Sequence, residues 1–144
     1  MAEAAYAAAR AEGEARMVWA EEAMPEDVLA ADGYLFCAPE NLAALSGAMK
    51  EFFDRCYYPV LGQIEGHPYA QMICAGSDGE GAARQLARIA TGWRLKEVQP
   101  PLIVCTHAQT EEAILAEKVI GAADLERCSE LGSAMGAGLA MGVF

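Results

Sequence analysis

Residues 34–56 read YLFCAPENLAALSGAMKEFFDRC, and this stretch decides the fold class. Its opening apolar run lies between Gly33 and Pro39, which is typical of a buried β-strand. Ser46 is a favourable helix N-cap. The apolar residues after it recur at helical spacing, which places them on one face of a helix: Met49, Phe52, Phe53 and Cys56. The stretch therefore predicts a buried strand followed by an amphipathic helix.

The same alternation continues on both sides of this unit. Two further apolar runs predict strands at residues 69–74 and 101–105, and a short strand is predicted at Met17–Trp19. Helices are predicted at residues 1–10, 25–31, 81–91, 111–119 and 123–140. Near-continuous apolar strands separated by amphipathic helices indicate a mostly parallel sheet with helices on both faces. We therefore expect an α/β fold in a single domain, residues 1–144.

The charge balance limits the classes of partner. Ten Lys and Arg residues stand against 21 Asp and Glu residues, so the net charge is −11. This excess of negative charge argues against binding to nucleic acid and to an anionic membrane surface. The hydrophobic content of 54% is too high for a disordered chain. The longest uncharged stretch, residues 131–144, is shorter than the roughly 20 apolar residues of a membrane span, and the N-terminus has no secretory leader pattern.

The five cysteines are scattered along the chain: Cys37, Cys56, Cys74, Cys105 and Cys128. Their number is odd, and no pair has the close spacing of a disulfide framework or a zinc ribbon. Free cysteine is a small residue that is often buried, so a core role is preferred to a redox or metal-binding role. We expect reduced thiols in a cytoplasmic protein, and no metal site.

The predicted strands at 34–37, 69–74 and 101–105 all lead into turn formers or polar residues. In open α/β sheets, ligands bind outside the carboxyl ends of the strands, which meet at one edge when the strands are parallel. The loops that follow should therefore surround one crevice: residues 39–46, 76–81 and 106–110. The first loop, at about eight residues, exceeds the usual two to six between a strand and a helix, which favours a functional role.

The loop Gly76-Ser77-Asp78-Gly79-Glu80-Gly81 opens a predicted helix. Its glycines allow backbone N–H groups to approach a ligand closely. Asp78 and Glu80 argue against a bare phosphate, so neutral carbonyl oxygens are the better ligand atoms. An ordinary surface turn, in which Asp78 and Glu80 cap the following helix, is the alternative interpretation.

Two histidines and two arginines are weaker candidates. His107 follows a predicted strand and His67 lies beside Pro68, but neither has a Ser, Cys or Asp partner at a recognisable catalytic spacing. Arg84 and Arg88 lie one helical turn apart, which fits a solvated helix face better than a phosphate clamp. We therefore nominate no catalytic side chain.

Two segments, residues 38–55 (APENLAALSGAMKEFFDR) and 75–81 (AGSDGEG), resemble the flavodoxin-like superfamily. In particular, they are similar to its NAD(P)H-dependent FMN reductases and quinone reductases of the tryptophan-repressor-binding-protein type. The resemblance implies a three-layer α/β/α fold with a parallel sheet of order 2-1-3-4-5 and FMN at its carboxyl edge. It also implies two groups of cofactor contacts: Pro39, Glu40, Asn41 and Leu42 at the flavin ring, and Gly76, Ser77, Asp78 and Gly79 at the ring and its pyrimidine edge.

The chain departs from the family pattern in two places. The family begins with an apolar strand and a Ser/Thr-rich loop that holds the FMN phosphate, whereas residues 1–10 already look like the first helix. Ala43 stands where relatives often carry glycine. The chain is either an N-terminally shortened form of a longer protein or a variant in which neighbouring strands pair directly or a partner chain fills the gap. Unpaired strand edges favour association, so we expect a homo-oligomer.

The resemblance implies an FMN-binding oxidoreductase that transfers electrons from NAD(P)H to a quinone or similar small-molecule acceptor. The flavin would carry the chemistry, and the protein would position it. Two alternatives stay open at this point: a flavodoxin-like electron carrier without a nicotinamide site, and a fold-only protein that does not bind FMN.

Overall fold

The computed structural model describes residues 1–144 and contains six helices and five strands. The helices are α1 (Ala2–Glu12), α2 (Pro25–Leu29), α3 (Gly47–Val60), α4 (Glu80–Gly92), α5 (Glu111–Leu115) and α6 (Ala122–Ala140). The strands are β1 (Tyr34–Asn41), β2 (Ala44–Leu45), β3 (Pro68–Ala75), β4 (Lys96–Glu97) and β5 (Leu102–Cys105). None of the helices has both the length and the apolar character to cross a membrane.

β3 lies at the centre of the sheet, and its neighbours run parallel to it. β1 pairs with one edge of β3, with Leu35 opposite Ala70, and β5 pairs with the other edge, with Leu102 opposite Met72. β4 pairs with that second edge at the start of β3. Nearly every residue of β3 is buried, which explains its continuous apolar sequence. Because these strands are parallel, their carboxyl ends meet at one edge of the sheet.

Helices cover both faces of the sheet, so the domain has three layers. On one face, α3 and α4 bury an aromatic cluster in which Phe53 packs edge-on against Phe36 and Trp93, at centroid distances of 5.0 and 5.1 Å. On the other face, α1 and α6 pack against each other and the sheet, with Ala5 and Cys128 buried. The predicted α/β class and its α/β/α layering are therefore confirmed.

Local sequence signals placed several helix ends correctly. The Ser46 side chain accepts a hydrogen bond from the Met49 amide, as expected for the N-cap of α3. Pro25 begins α2, and Gly13 follows the last residue of α1. The buried face of α3 includes the four residues expected from their spacing: Met49, Phe52, Phe53 and Cys56.

Three local expectations were wrong. Residues 17–19 are irregular rather than a strand, because no neighbouring strand pairs with them; the backbone of residues 14–18 makes no backbone hydrogen bond. Residues 39–46 form a β-hairpin rather than an open loop, since β1 extends to Asn41 and pairs antiparallel with β2. The helix predicted at 111–119 ends at Leu115, because none of its residues is buried and a short unsupported helix is marginal in water.

One edge of β1 has no strand partner along most of its length. On the side away from β3, β1 pairs only with β2, through Glu40 and Asn41. Residues 34–38 therefore have no neighbouring strand on that side, which confirms one of the two unpaired edges that the resemblance implied; the other was expected at residues 17–19, which form no strand. The order β1-β3-β5 agrees with the last three strands of the order that the resemblance implied.

Candidate functional site

The three loops predicted to surround a crevice lie together at the carboxyl edge of the sheet. We call them the hairpin loop (residues 39–46), the glycine loop (residues 76–81) and the distal loop (residues 106–110). Side-chain hydrogen bonds join the glycine loop to both neighbours, to the hairpin loop through Glu40 and to the distal loop through Gln109. The predicted gathering of these loops is therefore confirmed.

The hairpin loop turns through two residues in the left-handed region. Leu42 has a φ of 52° and Ala43 a φ of 62°, and Asn41 pairs with Ala44 across the turn. Two-residue hairpin turns with positive φ at both positions favour Asn and Gly, because other residues are strained there. The Leu42 side chain at the tip is fully exposed. The turn thus presents an apolar side chain at the edge of the site despite backbone strain.

Glu40 fastens the hairpin loop to the start of α4. Its Oε1 accepts a hydrogen bond from the Gly79 amide at 3.2 Å, and its Oε2 accepts one from the Ala82 amide at 3.0 Å. A second hydrogen bond also joins the hairpin loop to α4: the Leu45 amide donates to Oε1 of Gln85 at 2.8 Å. The first turn of a helix has amides without intrahelical partners and a positive dipole end, so a carboxylate is stabilised there.

The glycine loop has little space for side chains. Gly79 has a φ of 77°, and a Cβ at this position would lie 2.6 Å from Cγ2 of Ile103. Asp78 Oδ1 accepts a hydrogen bond from the Glu80 amide at 2.9 Å. The helix-capping alternative therefore describes the Asp78 side chain correctly.

Three amides of the glycine loop make no hydrogen bond within the protein: those of Gly76, Ser77 and Asp78. Gln109 Nε2 donates to the Gly76 carbonyl at 3.0 Å and to the Ser77 hydroxyl at 3.2 Å, which braces the chain without using these amides. Successive unpaired amides on a braced loop are suitable donors to oxygen atoms of a ligand.

All eight residues implied as cofactor contacts lie at this edge of the sheet. They are Pro39, Glu40, Asn41 and Leu42 in the hairpin loop, and Gly76, Ser77, Asp78 and Gly79 in the glycine loop. For five of them the structure adds a side-chain hydrogen bond inside the protein: Glu40, Gly76, Ser77, Asp78 and Gly79. The contact of these eight residues with a flavin remains a prediction.

The two histidines lie at opposite edges of the sheet. His107 is in the distal loop and has a φ of 55°. His67 lies before β3, where its Nδ1 is 3.2 Å from the Tyr34 hydroxyl. Burial raises the pKa of Tyr34 to about 12, so this hydroxyl stays protonated at neutral pH. Arg84 lies 3.9 Å from Glu80 in an exposed ion pair, which agrees with a solvated helix face.

Four of the five cysteines have raised pKa values. Burial raises the pKa of Cys37 to about 11, and it also raises the pKa values of Cys56, Cys74 and Cys128. These thiols are therefore protonated at neutral pH and are poor nucleophiles. All five cysteines are free, and no group of three or more His, Cys, Asp or Glu side chains is arranged to hold a metal ion.

The sequence did not reveal the side chains that brace the loops. Gln109 lies 33 residues from Gly76, and Gln85 lies 40 residues from Leu45, so no local pattern marks either bond. The hairpin was missed for a different reason. Its turn carries Leu42 and Ala43 in place of the Asn-Gly pair that usually identifies a two-residue hairpin.

The described residues include suitable donors for the ring of FMN, but fewer for its phosphate. The free amides of residues 76–78 are suited to carbonyl oxygens such as those of a flavin ring, and Leu42 is an exposed apolar side chain in the neighbouring hairpin loop. A phosphate is commonly held by hydroxyl and amide donors at a helix start, and the first turn of α1 carries no Ser or Thr.

Comparison with proteins of known sequence identifies the family. The model for the NADPH-dependent FMN reductase family matches residues 6–110. A flavodoxin from Aquifex aeolicus (strain VF5) is 40% identical over 76 residues, which is 51% of this chain and 39% of that protein. The chain therefore spans well under half the length of this curated relative.

Solved structures share the fold. A flavodoxin from the domain Archaea has a TM-score of 0.72 at 15% identity, over 96% of this chain and 87% of that chain. A flavodoxin, WrbA-like protein from Agrobacterium tumefaciens has a TM-score of 0.71 at 17% identity, over 97% of this chain and 87% of that chain. The fold is that of the flavodoxins, and the chain belongs to the NADPH-dependent FMN reductase family.

Proposed function

We propose that this chain binds FMN at the carboxyl edge of its sheet and transfers electrons from NADH or NADPH to a quinone or a similar small acceptor. The observation that supports this most is the set of unpaired amides at residues 76–78, which adjoin the ties made by Glu40 and Gln109. Membership of an FMN reductase family supports the choice of flavin. The family description names NADPH, whereas NADH and the quinone acceptor come from the sequence resemblance alone, and all three are part of the proposal.

Each loop would have its own role in holding the flavin. Pro39, Asn41 and Leu42 would border the ring, and the amides of residues 76–78 would bind its polar edge. FMN, when bound, supplies the hydride and electron chemistry. The protein's contribution is therefore orientation and exclusion of water, and we assign no acid–base side chain.

A fold-only protein that does not bind FMN is the second candidate. The observation that favours it is that the first turn of α1, residues 2–5, carries no Ser or Thr hydroxyl. Parallel titrations with FMN and riboflavin address this point. Tighter binding of FMN means that the phosphate is held, equal affinities mean that only the ring is recognised, and no binding of either supports the fold-only candidate.

A flavodoxin-like electron carrier would bind FMN without reacting with a nicotinamide nucleotide. The FMN-loaded protein is mixed anaerobically with NADH or NADPH, and the flavin absorbance is followed. Bleaching by either nucleotide supports the reductase. Failure of both nucleotides, with full bleaching by dithionite, would identify a carrier and contradict the enzymatic part of the proposal.

We also propose that the chain forms a homo-oligomer in a reducing, cytoplasmic setting. Residues 34–38 of β1 have no strand partner on one side, and an open strand edge favours association. The free state of all five cysteines is consistent with a reducing compartment. Sedimentation should give a multiple of the monomer mass, and a clean monomer would contradict the oligomer.

A further inference from the structure

We propose that Glu40 is a positioning residue whose carboxylate ties the hairpin loop to the amino end of α4 and thereby holds the glycine loop ready for its ligand. The inference rests on the proposed FMN site, and it assigns Glu40 a role different from the direct ring contact that the resemblance implied. The tie itself is a property of the protein without ligand, so it can be tested separately from flavin binding.

Both carboxylate oxygens of Glu40 are used inside the protein. Oε1 accepts from the Gly79 amide at 3.2 Å, and Oε2 accepts from the Ala82 amide at 3.0 Å. These bonds span 39 and 42 residues of sequence. A charged acceptor makes stronger hydrogen bonds to amides than a neutral one, and the positive end of the helix dipole adds to the attraction. Both oxygens of the half-buried Glu40 side chain are thus hydrogen-bonded to the start of α4.

α4 needs this acceptor because it has no N-cap side chain of its own. Its N-cap residue is Gly79, in the left-handed conformation, and no side chain at that position accepts a hydrogen bond. A helix start normally satisfies its orphan amides with a Ser, Thr, Asp or Asn at the N-cap. Here Asp78 binds the Glu80 amide, and the hairpin loop supplies the oxygens for the amides of Gly79 and Ala82, so the position of the hairpin and the start of the helix are set together.

The glycine loop is consequently braced at both ends. Gln109 Nε2 donates to the Gly76 carbonyl and the Ser77 hydroxyl at the first end, and Glu40 binds the Gly79 amide at the second. The amides of Ser77 and Asp78 lie between these braces, the Gly76 amide lies just before the first, and none of the three has a partner in the protein. A braced loop loses less conformational freedom when a ligand binds, so loss of either brace should weaken binding.

Three substitutions of Glu40 distinguish the contribution of its side-chain length from that of its charge. Glu40→Ala removes both bonds, Glu40→Asp keeps the charge but shortens the side chain, and Glu40→Gln keeps the length and one acceptor oxygen. Glu65→Ala is the matched control, because Glu65 is an exposed carboxylate that binds Arg94 on a different loop. Far-UV circular dichroism first establishes that each variant is folded.

Amide hydrogen exchange in the absence of FMN tests the tie. We expect the amides of Gly79 and Ala82 to exchange about tenfold faster in Glu40→Ala and Glu40→Asp than in the wild type, with Glu40→Gln in between. The control should leave both rates unchanged. Unchanged exchange of Gly79 and Ala82 in Glu40→Ala would overturn the tie. If Glu40→Ala does not fold, the same comparison is made with Glu40→Asp and Glu40→Gln.

Titration with FMN tests the consequence for binding. We expect the Kd for FMN to rise about tenfold in Glu40→Ala, with partial recovery in Glu40→Gln and no change in Glu65→Ala. Faster amide exchange with an unchanged Kd would overturn the positioning role. A wild-type protein that binds no FMN would instead overturn the proposed function, and the exchange experiment would still decide whether the tie exists.

Discussion

The carbonyl oxygen of Ala43 lies against Gly81, so closely that a Cβ on residue 81 would sit 2.2 Å from it. The hairpin loop and the first turn of α4 therefore touch backbone to backbone, although they are far apart in the sequence. The Glu40 carboxylate lies at the same junction, with its Oε2 3.2 Å from that Cβ position. The arrangement of the proposed flavin site depends on this contact.

Gly81→Ala should destabilise the fold by about 1–3 kcal/mol, because backbone atoms must move apart to admit the methyl group. Gly92→Ala in the same helix is the matched control, since nothing lies within 4 Å of its Cβ position. That control should be neutral or slightly stabilising. Urea unfolding measures both free energies, and equal values for the two variants would contradict the close contact.

Ala43→Gly should stabilise the protein. Ala43 has a φ of 62°, which costs a residue with a Cβ roughly 1–2 kcal/mol, and glycine removes this strain at the expense of a more flexible unfolded chain. We expect a net gain of about 0.5–1 kcal/mol in the free energy of unfolding. Ala44→Gly, in β2, should instead lose stability. A less stable Ala43→Gly variant would show that the turn is not strained.

Gln109→Ala should weaken the affinity for FMN about three- to tenfold, because the glycine loop loses its brace at Gly76 and Ser77. Gln63→Ala is the control, since the Gln63 side chain donates to the Pro59 carbonyl within α3 and its adjoining turn. Fluorescence titration with FMN compares the two variants. Identical dissociation constants would mean that the distal loop does not organise the site.

The Cys37 thiol predicts a loss of stability at alkaline pH. Burial raises its pKa from 9.0 to about 11, and a raised pKa on folding stabilises the native state only while the group is protonated. This contribution is complete below pH 9.0 and is lost as the pH rises toward about 11. Urea unfolding at several pH values in that window measures the free energy of unfolding. We expect it to fall with pH in both proteins, and the fall in Cys37→Ala should be smaller than in the wild type by up to about 2 kcal/mol. If the free energies of unfolding of the two proteins fall equally with pH, the Cys37 thiol makes no such contribution.

Sequence reasoning succeeded where local physics decides the outcome. Ser46 and the apolar spacing from Met49 to Cys56 determine α3, and parallel strands bring the loops that contain Glu40 and Gly76 to one edge. It failed where distant residues meet. The tie from Glu40 to α4 spans about 40 residues of chain and has no local pattern, and the hairpin turn at Leu42 lacks its usual residues.

The strand predicted at residues 17–19 shows the same limit. Its apolar residues suit a strand, and Val18 does pack against the aromatic cluster. A strand nevertheless needs a neighbour for its backbone groups, and residues 14–18 have none. Propensity therefore predicted a strand here but could not predict whether a partner strand was present, and Val18 is only partly buried.

The most direct test of the central claim is a titration of the purified 144-residue protein with FMN, followed by flavin fluorescence and visible absorbance. The braced loops and their free amides predict saturable binding of one FMN per chain, with a yellow protein after removal of excess flavin. A colourless protein that shows no saturable change with FMN, although circular dichroism confirms that it is folded, would contradict the assignment of this edge as a flavin site.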